Sequence, residues 1–274
     1  MEHDGGSLTR IAVLHQHYQE ARATLQFLDA NLWIGRPRTP EFAGEWGIER
    51  LCAGMARYGI QGGVVSHFAA VYYSPWHGNE ALLAALEGTG LSAGVVLVPE
   101  MFGAPGEGRE YLRDLISHGA RFARVFPKTH NFILRPWCSG HLLEALCAYR
   151  VPLVVWHTEV GWEDVRAVCA AYPGLTVIIE GTPQKILYYN RILYPLLAEL
   201  PNLRLELHNL ANYLGVEDIV LRFGAKRLLF GSFLPICDPN VAMMQVTHAR
   251  IGEGDKVQIA NANLAELLGG VQLT

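Results

Sequence analysis

Eight short apolar runs recur along the chain, each followed by a segment long enough for a helix. This alternation limits the architecture more than any other feature. The runs cover 27–31, 62–67, 93–99, 123–126, 153–157, 176–179, 203–208 and 227–231, and they are rich in Val, Ile, Leu and Phe. Continuous apolar runs of this length are the mark of strands buried on both faces, as in a parallel sheet covered by helices. The intervening pieces carry helical spacing: Leu142, Leu143, Leu146 and Cys147 ahead of Pro152, and Val165, Val168, Cys169 and Ala171 ahead of Pro173. Eight strand–helix units predict a (β/α)8 TIM barrel rather than a doubly wound sheet. The 274 residues suit one such barrel, which typically needs about 250.

Residues 8–25 precede the first run and predict an additional helix with Ser7 as its N-cap. The expected division is therefore an N-terminal helical extension over 1–26 and a barrel over 27–274. The extra helix would brace the barrel bottom or form a dimer contact. The segments 102–107, broken by Gly103, Pro105 and Gly106, and 128–139 read as loops at the strand ends. The first lacks a Gly-x-x-x-x-Gly-Lys pattern, so no nucleotide site is expected there.

Half the residues are hydrophobic and 18% are charged, a composition for a large buried core rather than disorder. A net charge of −4 points away from nucleic acid and anionic membranes as partners. Cys52, Cys138, Cys147, Cys169 and Cys237 are odd in number and form no Cys-x-x-Cys pair, which suits reduced thiols. The start of the chain lacks a basic, then apolar, leader, and no uncharged apolar stretch approaches the roughly 18 residues of a membrane span. The expectation is a cytoplasmic protein.

In a barrel of this kind the chemistry sits at the C-terminal strand ends. Read in order, those ends present Asn31 and Trp33, Ser66 and His67, Glu100, then Arg124 with Lys128 and His130 nearby. His157 and Glu159, Glu180, then Glu206, His208 and Asn209, and finally Ser232 and Phe233 follow. Trp76, His77 and Trp137 fall in segments read as loops and either line the mouth or anchor those loops. His15, His17 and His248 fall on helical stretches and read as surface residues. Cys237 has no evident neighbouring base that would make it a nucleophile.

Several of these segments together carry a family resemblance. Phe27-Leu28-Asp29-Ala30-Asn31-Leu32-Trp33-Ile34-Gly35 and Phe230-Gly231-Ser232-Phe233-Leu234-Pro235 resemble the first and last strands of the amidohydrolase-related metal-dependent hydrolases of family 2 type. There the first strand reads Asp-x-His-x-His-x-Gly and the last Gly-Ser-Asp-x-Pro. Val154-Val155-Trp156-His157 is similar to the fifth strand, Pro173-Gly174-Leu175 to the start of the sixth, Pro201-Asn202-Leu203 to the seventh, and Asn261-Ala262-Asn263-Leu264 to the closing helix. The resemblance spans roughly residues 27–269. It implies that His157 stands at a retained metal-ligand position. It also implies that Asn31, Trp33 and Phe233 replace two histidines and an aspartate, and that Gly181, or Glu180 one place earlier, replaces a further histidine.

A catalytic divalent ion needs about three protein ligands and an open position. Asn is a poor zinc ligand and Trp and Phe are none, while the lost aspartate removes the usual general base. The ordinary metal-hydroxide hydrolysis is therefore not expected, and neither is a cofactor. The alternative is one relocated divalent metal, zinc, on His157, Glu180 and His208, with Glu206 on the same face as His208. Against it stands a polar pocket in which Glu206 is paired with Arg204 or Arg124.

Metal-free acid–base chemistry is the other route. In it Glu180 partners His157, and Asn31 donates to an oxyanion. Arg124 and Lys128 hold a substrate carboxylate, unless Arg124 is a barrel-wall ion pair. Trp33 and Phe233 form either an aromatic wall for substrate or a plug. The resemblance permits this route, since lactone hydrolases without metal and decarboxylases belong to the broader family.

The expected function is thus a divergent amidohydrolase-related hydrolase or lyase, metal-independent, acting on a small carboxylated organic molecule. His157, Glu180 and His208 are the catalytic candidates. Asn31, Trp33, Arg124, Lys128 and Phe233 are the substrate-binding candidates. The alternative is a catalytically inactive barrel that binds a ligand or a protein partner, and a homodimer is possible in either case. An open cavity exposing His157 and Glu180 would favour the enzyme, whereas Trp33 and Phe233 packed shut would favour the inactive barrel.

Overall fold

The computed structural model describes residues 4–38, 44–103, 106–181, 190–210 and 212–273. After α1 (Asp4–Leu25) come β1 (Leu28–Ile34), α2 (Ile48–Tyr58), β2 (Gly62–His67), α3 (Phe68–Tyr72), α4 (Pro75–Leu86), β3 (Ser92–Val96), α5 (Glu107–Ser117) and β4 (Ala120–Val125). The chain continues through α6 (Pro136–Tyr149), β5 (Leu153–Trp156), α7 (Trp162–Ala171), β6 (Val177–Glu180), α8 (Asn190–Glu199) and β7 (Leu203–Glu206). It ends with α9 (Gly215–Phe223), β8 (Leu228–Leu229), α10 (Pro239–Thr247), α11 (Glu253–Val257) and α12 (Asn263–Gly270).

The eight strands are parallel and neighbour one another in sequence order. The sheet closes where Ala30 N donates to the carbonyl of Phe230 at 3.0 Å and Trp33 N to that of Leu234 at 2.9 Å. This is the expected (β/α)8 barrel with its N-terminal helix.

Side chains alternate along each strand, so the interior is built in levels. Towards the N-terminal strand ends Ala30, Val64, Phe122, Val154, Ile178 and Leu229 form an apolar level, sealed by Leu264 and Leu267 of α12. Towards the C-terminal ends Trp33, Phe68, Val96, Phe126, Trp156 and Phe233 form a second apolar level. One step along the strands between them lie Ser66, Arg124, Glu180 and Glu206, all buried.

The register of β1 on β2 shifts between Asp29 and Leu32, leaving β1 with one extra residue. A bulge re-aims side chains. As a result Ala30, Asn31 and Trp33 all join interior contacts, which a regular strand would not allow.

Two asparagines explain sequence features read as family-like. Asn202, after Pro201, donates from Nδ2 to the carbonyls of Cys169, Tyr172 and Leu175 at 3.1, 3.1 and 2.9 Å, tying the end of α7 to the start of β7. Asn263 donates to the carbonyls of Ala225 and Leu228 at 2.9 and 2.7 Å, pinning α12 under β8.

The structure corrects several expectations. The extra helix begins at Asp4, so Ser7 lies within its first turns and is not an N-cap. The N-terminal barrel opening is sealed by α12. The C-terminal half of α1 lies on α10, where the Tyr18 hydroxyl donates to Asn240. Trp76 and His77 sit in the first turn of α4, and Trp137 in the first turn of α6, rather than in loops. In each case a proline supplies a favourable first helical residue. The segment 128–139 accordingly ends as helix, and within 102–107 residues 104 and 105 lie outside the described residues.

Candidate functional site

Arg124 crosses the interior from β4. Its Nη1 donates to the Glu180 carboxylate, its Nε to Ser66 Oγ at 2.7 Å and its Nη2 to the carbonyl of Ala30 at 3.0 Å. The guanidinium carbon lies 5.0 Å from the Trp33 ring centroid, within cation–π range. Gly94 makes this path possible, since a Cβ there would lie 2.6 Å from Ser66 Oγ and 3.3 Å from Arg124 Nε. Of the two readings of Arg124, the structure forms the interior ion pair.

The second buried pair is Glu206 with His208 Nδ1. Glu206 Oε1 also accepts from the backbone N of His208 at 2.7 Å, and Asn31 Nδ2 donates to Oε2 at 3.3 Å. Neither arginine expected to partner Glu206 does so, because Arg124 is held by Glu180 and Arg204 lies one level lower. Gly231 leaves room for this carboxylate: a Cβ there would come within 2.4 Å of Glu206 Oε1. Burial opposes the charge on His208, but the Glu206 carboxylate and the neighbouring Glu180 and Asp29 outweigh it and raise the imidazole above its ordinary range.

Asp29 is buried near Glu206 and His208. Its Oδ1 accepts from the backbone N of Asn31 at 2.9 Å and of Ser232 at 3.0 Å, stitching β1 to the chain after β8. Burial pushes its carboxyl up to about 6 against the lowering effect of those hydrogen bonds. Burial likewise raises Glu180 to about 7, partly offset by Arg124 and reinforced by Glu206. Three carboxylates thus lie desolvated beside Arg124 and His208, and among the described residues Oδ2 of Asp29 and Oε1 of Glu180 have no hydrogen-bond partner.

Above this level the aromatic rings close. Trp33 stacks on Phe68 at 4.6 Å, and meets Trp156 at 5.6 Å and Phe233 at 6.2 Å. Phe126 meets Trp156 edge-on at 4.9 Å, and Phe233 covers His208 at 5.0 Å. Trp33 and Phe233 do meet, as their adjacent strands imply, but they are 0% and 2% exposed. Phe233 adopts φ +58°, a left-handed conformation unfavourable for a bulky residue. The backbone N atoms of Ile236 and Cys237 hold its carbonyl at 2.8 and 3.1 Å.

The remaining candidates lie around this core. His157 is buried, with its backbone N 3.1 Å and its Nδ1 3.4 Å from the backbone carbonyl of Glu180. The Glu180 carboxylate is bonded to Arg124, and a buried carboxylate–imidazole pair forms between Glu206 and His208. Burial, aided by the charges of His208 and Lys128, lowers His157 and favours its neutral form.

Lys128 is exposed and donates to the carbonyl of Thr158, while Glu159 accepts from Thr129 N and Oγ1, both at 2.9 Å. These bonds knit the loops after β4 and β5. His67 caps α3 by accepting from Ala69 N at 3.0 Å, and His130 lies 2.9 Å from the carbonyl of Val71. Glu100 lies exposed on a single 3-10 turn. Sequence reasoning missed Asp29, Gly94 and Gly231 as parts of the site. Glycines at interior strand positions were the available signal.

A divalent metal does not fit this site. Asn31 Oδ1 accepts from Trp33 Nε1 at 2.6 Å, Trp33 and Phe233 offer no lone pair, and Glu180 and Glu206 are bonded to Arg124 and His208. Among the described residues no three His, Cys, Asp or Glu side chains are placed to hold a metal ion, so His157, Glu180 and His208 do not assemble a relocated centre.

No family model matches the sequence, and neither does any curated protein. Solved structures do match. A putative amidohydrolase from Staphylococcus aureus shares a TM-score of 0.71 at 13% identity, over 89% of this chain and 99% of that one. A probable 2-pyrone-4,6-dicarboxylic acid hydrolase from Acinetobacter baumannii gives 0.65 at 12%, over 89% and 99%. A 2,6-dihydroxybenzoate decarboxylase from Rhizobium gives 0.64 at 15%, over 89% and 98%. At these identities the likeness establishes the fold, that of the barrels whose strand motifs the sequence resembles. Among the described residues no helix is long and apolar enough to cross a membrane.

Proposed function

We propose that this chain is a metal-independent barrel of the amidohydrolase type that acts by binding a small carboxylated organic molecule at its mouth, its centre serving as a structural network. The observation that carries this reading is the closed aromatic level, with Trp33 and Phe233 packed shut over Glu180 and Arg124. Exposed Lys128, on the loop after β4, supplies a cation, and Trp156 Nε1, within the aromatic level, is a buried donor without a partner among the described residues. Both suit a carboxylate. The carboxylated compounds named for two of the structural neighbours support the ligand class by analogy.

A second reading has its own observation. The Glu206–His208 pair is a carboxylate-oriented imidazole whose pKa is raised by that carboxylate, the arrangement of a general acid. In that case the chain is a hydrolase or lyase with His208 central and Glu180 and His157 beside it.

Calorimetric titration with aromatic and aliphatic mono- and dicarboxylates, with product analysis by NMR on the same samples, separates the two. Saturable binding that weakens in Lys128→Ala, with no product, supports the binding barrel. Turnover abolished by His208→Asn replaces it with the enzyme.

A further inference from the structure

We propose that Arg124 is the resident cation of this barrel: its guanidinium takes the place at the centre that a divalent ion holds in a metal-dependent barrel of this type. The inference rests on the reading that the centre is structural, and it says what makes that centre self-sufficient.

The placement is the first argument. The guanidinium bonds the carboxylate at the end of β6, the hydroxyl of Ser66 on β2 and the carbonyl of Ala30 on β1, and lies against Trp33. Trp33 and Glu180 stand at or beside the positions where the sequence resemblance puts metal ligands. One group anchored on β4 therefore draws together β1, β2 and β6, which a metal would do through its ligands.

Charge is the second argument. Asp29, Glu180 and Glu206 are all fully buried, and buried carboxylates require compensation by cations or protons. His208 is committed to Glu206, so Arg124 is the cation left for Glu180. A guanidinium suits this role because it stays charged when desolvated and spreads its donors over several acceptors.

Space is the third. Gly94 vacates the volume through which the side chain passes, and the Asn31 oxygen that would face an ion is turned to the Trp33 N–H. The level is thus arranged around an organic cation.

The test measures thermal stability and metal content of wild type, Arg124→Met, Glu180→Met and the double variant, each with EDTA and with added zinc or manganese. Wild type is expected to carry no stoichiometric divalent metal and to keep its Tm in EDTA. Arg124→Met is expected to lose roughly 10 °C or more in Tm, the consequence of leaving a buried carboxylate alone. The double variant should regain most of that loss, because both charges are then gone.

Should Arg124→Met fail to fold, the double variant decides: folding close to wild type supports the proposal, and failure to fold overturns it. Near-stoichiometric metal in wild type whose removal lowers Tm also overturns it, as does an Arg124→Met protein as stable as wild type. These readouts are independent of turnover. Discovery of a catalysed reaction would remove the binding reading and leave the cation role standing, whereas a resident metal would remove the cation role itself.

Discussion

Trp33 Nε1 donates to Asn31 Oδ1 at 2.6 Å, so the two residues standing where the first strand of a metal-dependent relative would place its histidines are bonded to each other. The bulge in β1 brings both inward, and their bond satisfies a buried indole N–H and one end of a buried amide. Trp33→Ala would remove ring packing against Phe68, Trp156 and Phe233 and strand the Asn31 oxygen. A loss of about 3–5 kcal/mol is expected, read as a lower urea midpoint. A variant of unchanged stability would mean that the aromatic level is not a structural seal.

Asp29 should make stability depend on pH. Its folded carboxyl lies at about 6, above the roughly 3.9 of an unfolded aspartate. The folded state therefore holds the proton more tightly, and stability falls as pH rises between those values. The full penalty, on the order of 2–3 kcal/mol, is present above the folded value. Glu180, raised to about 7, acts in the same sense over a range that reaches neutral pH. Asp29→Asn should gain on wild type between pH 5 and pH 8 in urea titrations. A constant difference across that range would contradict the prediction.

His208 is expected to hold its proton to higher pH than an ordinary histidine because Glu206 holds Nδ1. Stability from this raised pKa is fully present below the ordinary histidine value and is lost as pH rises through the folded one. In Glu206→Gln the imidazole should titrate at lower pH, since burial then acts without its counter-charge. Imidazole nitrogen shifts followed by NMR through a pH series would report this directly. Equal midpoints in the two proteins would rule out the assignment.

Gly231 and Gly94 should resist even a single methyl group. A Cβ on Gly231 would lie 2.4 Å from Glu206 Oε1, and one on Gly94 would lie 2.6 Å from Ser66 Oγ. Gly231→Ala and Gly94→Ala are each expected to cost about 1–3 kcal/mol by overpacking. The control is Gly254→Ala, which like the other two has no positive φ but has open space where the methyl would go. Calorimetric Tm values would compare them, and a control that suffers as much as Gly231→Ala would rule out overpacking as the cause.

Much of this barrel was legible in the amino-acid order. The eight apolar runs placed every strand to within a few residues, because a strand buried on both faces must be apolar along its length. Proline and asparagine at the starts of β7 and α12 marked contacts that the structure contains. Asn31, Trp33 and Phe233 announced a changed centre, since ligand chemistry is a property of the side chain itself.

Which buried group meets which was not legible. Period-two alternation says that Arg124, Glu180, Glu206 and His208 point inward, but Arg124 and Glu180 come from strands that are not neighbours. Only barrel closure, strand stagger and the room left by Gly94 and Gly231 decide that Arg124 takes Glu180 and that Glu206 takes His208. The seal over them was hidden for a similar reason. Phe68, Phe126 and Trp156 look like ordinary apolar strand ends until curvature of the sheet brings them against Trp33 and Phe233. Residue chemistry acts locally and can be read along the chain, whereas pairing inside a closed barrel depends on distances that exist only after it closes.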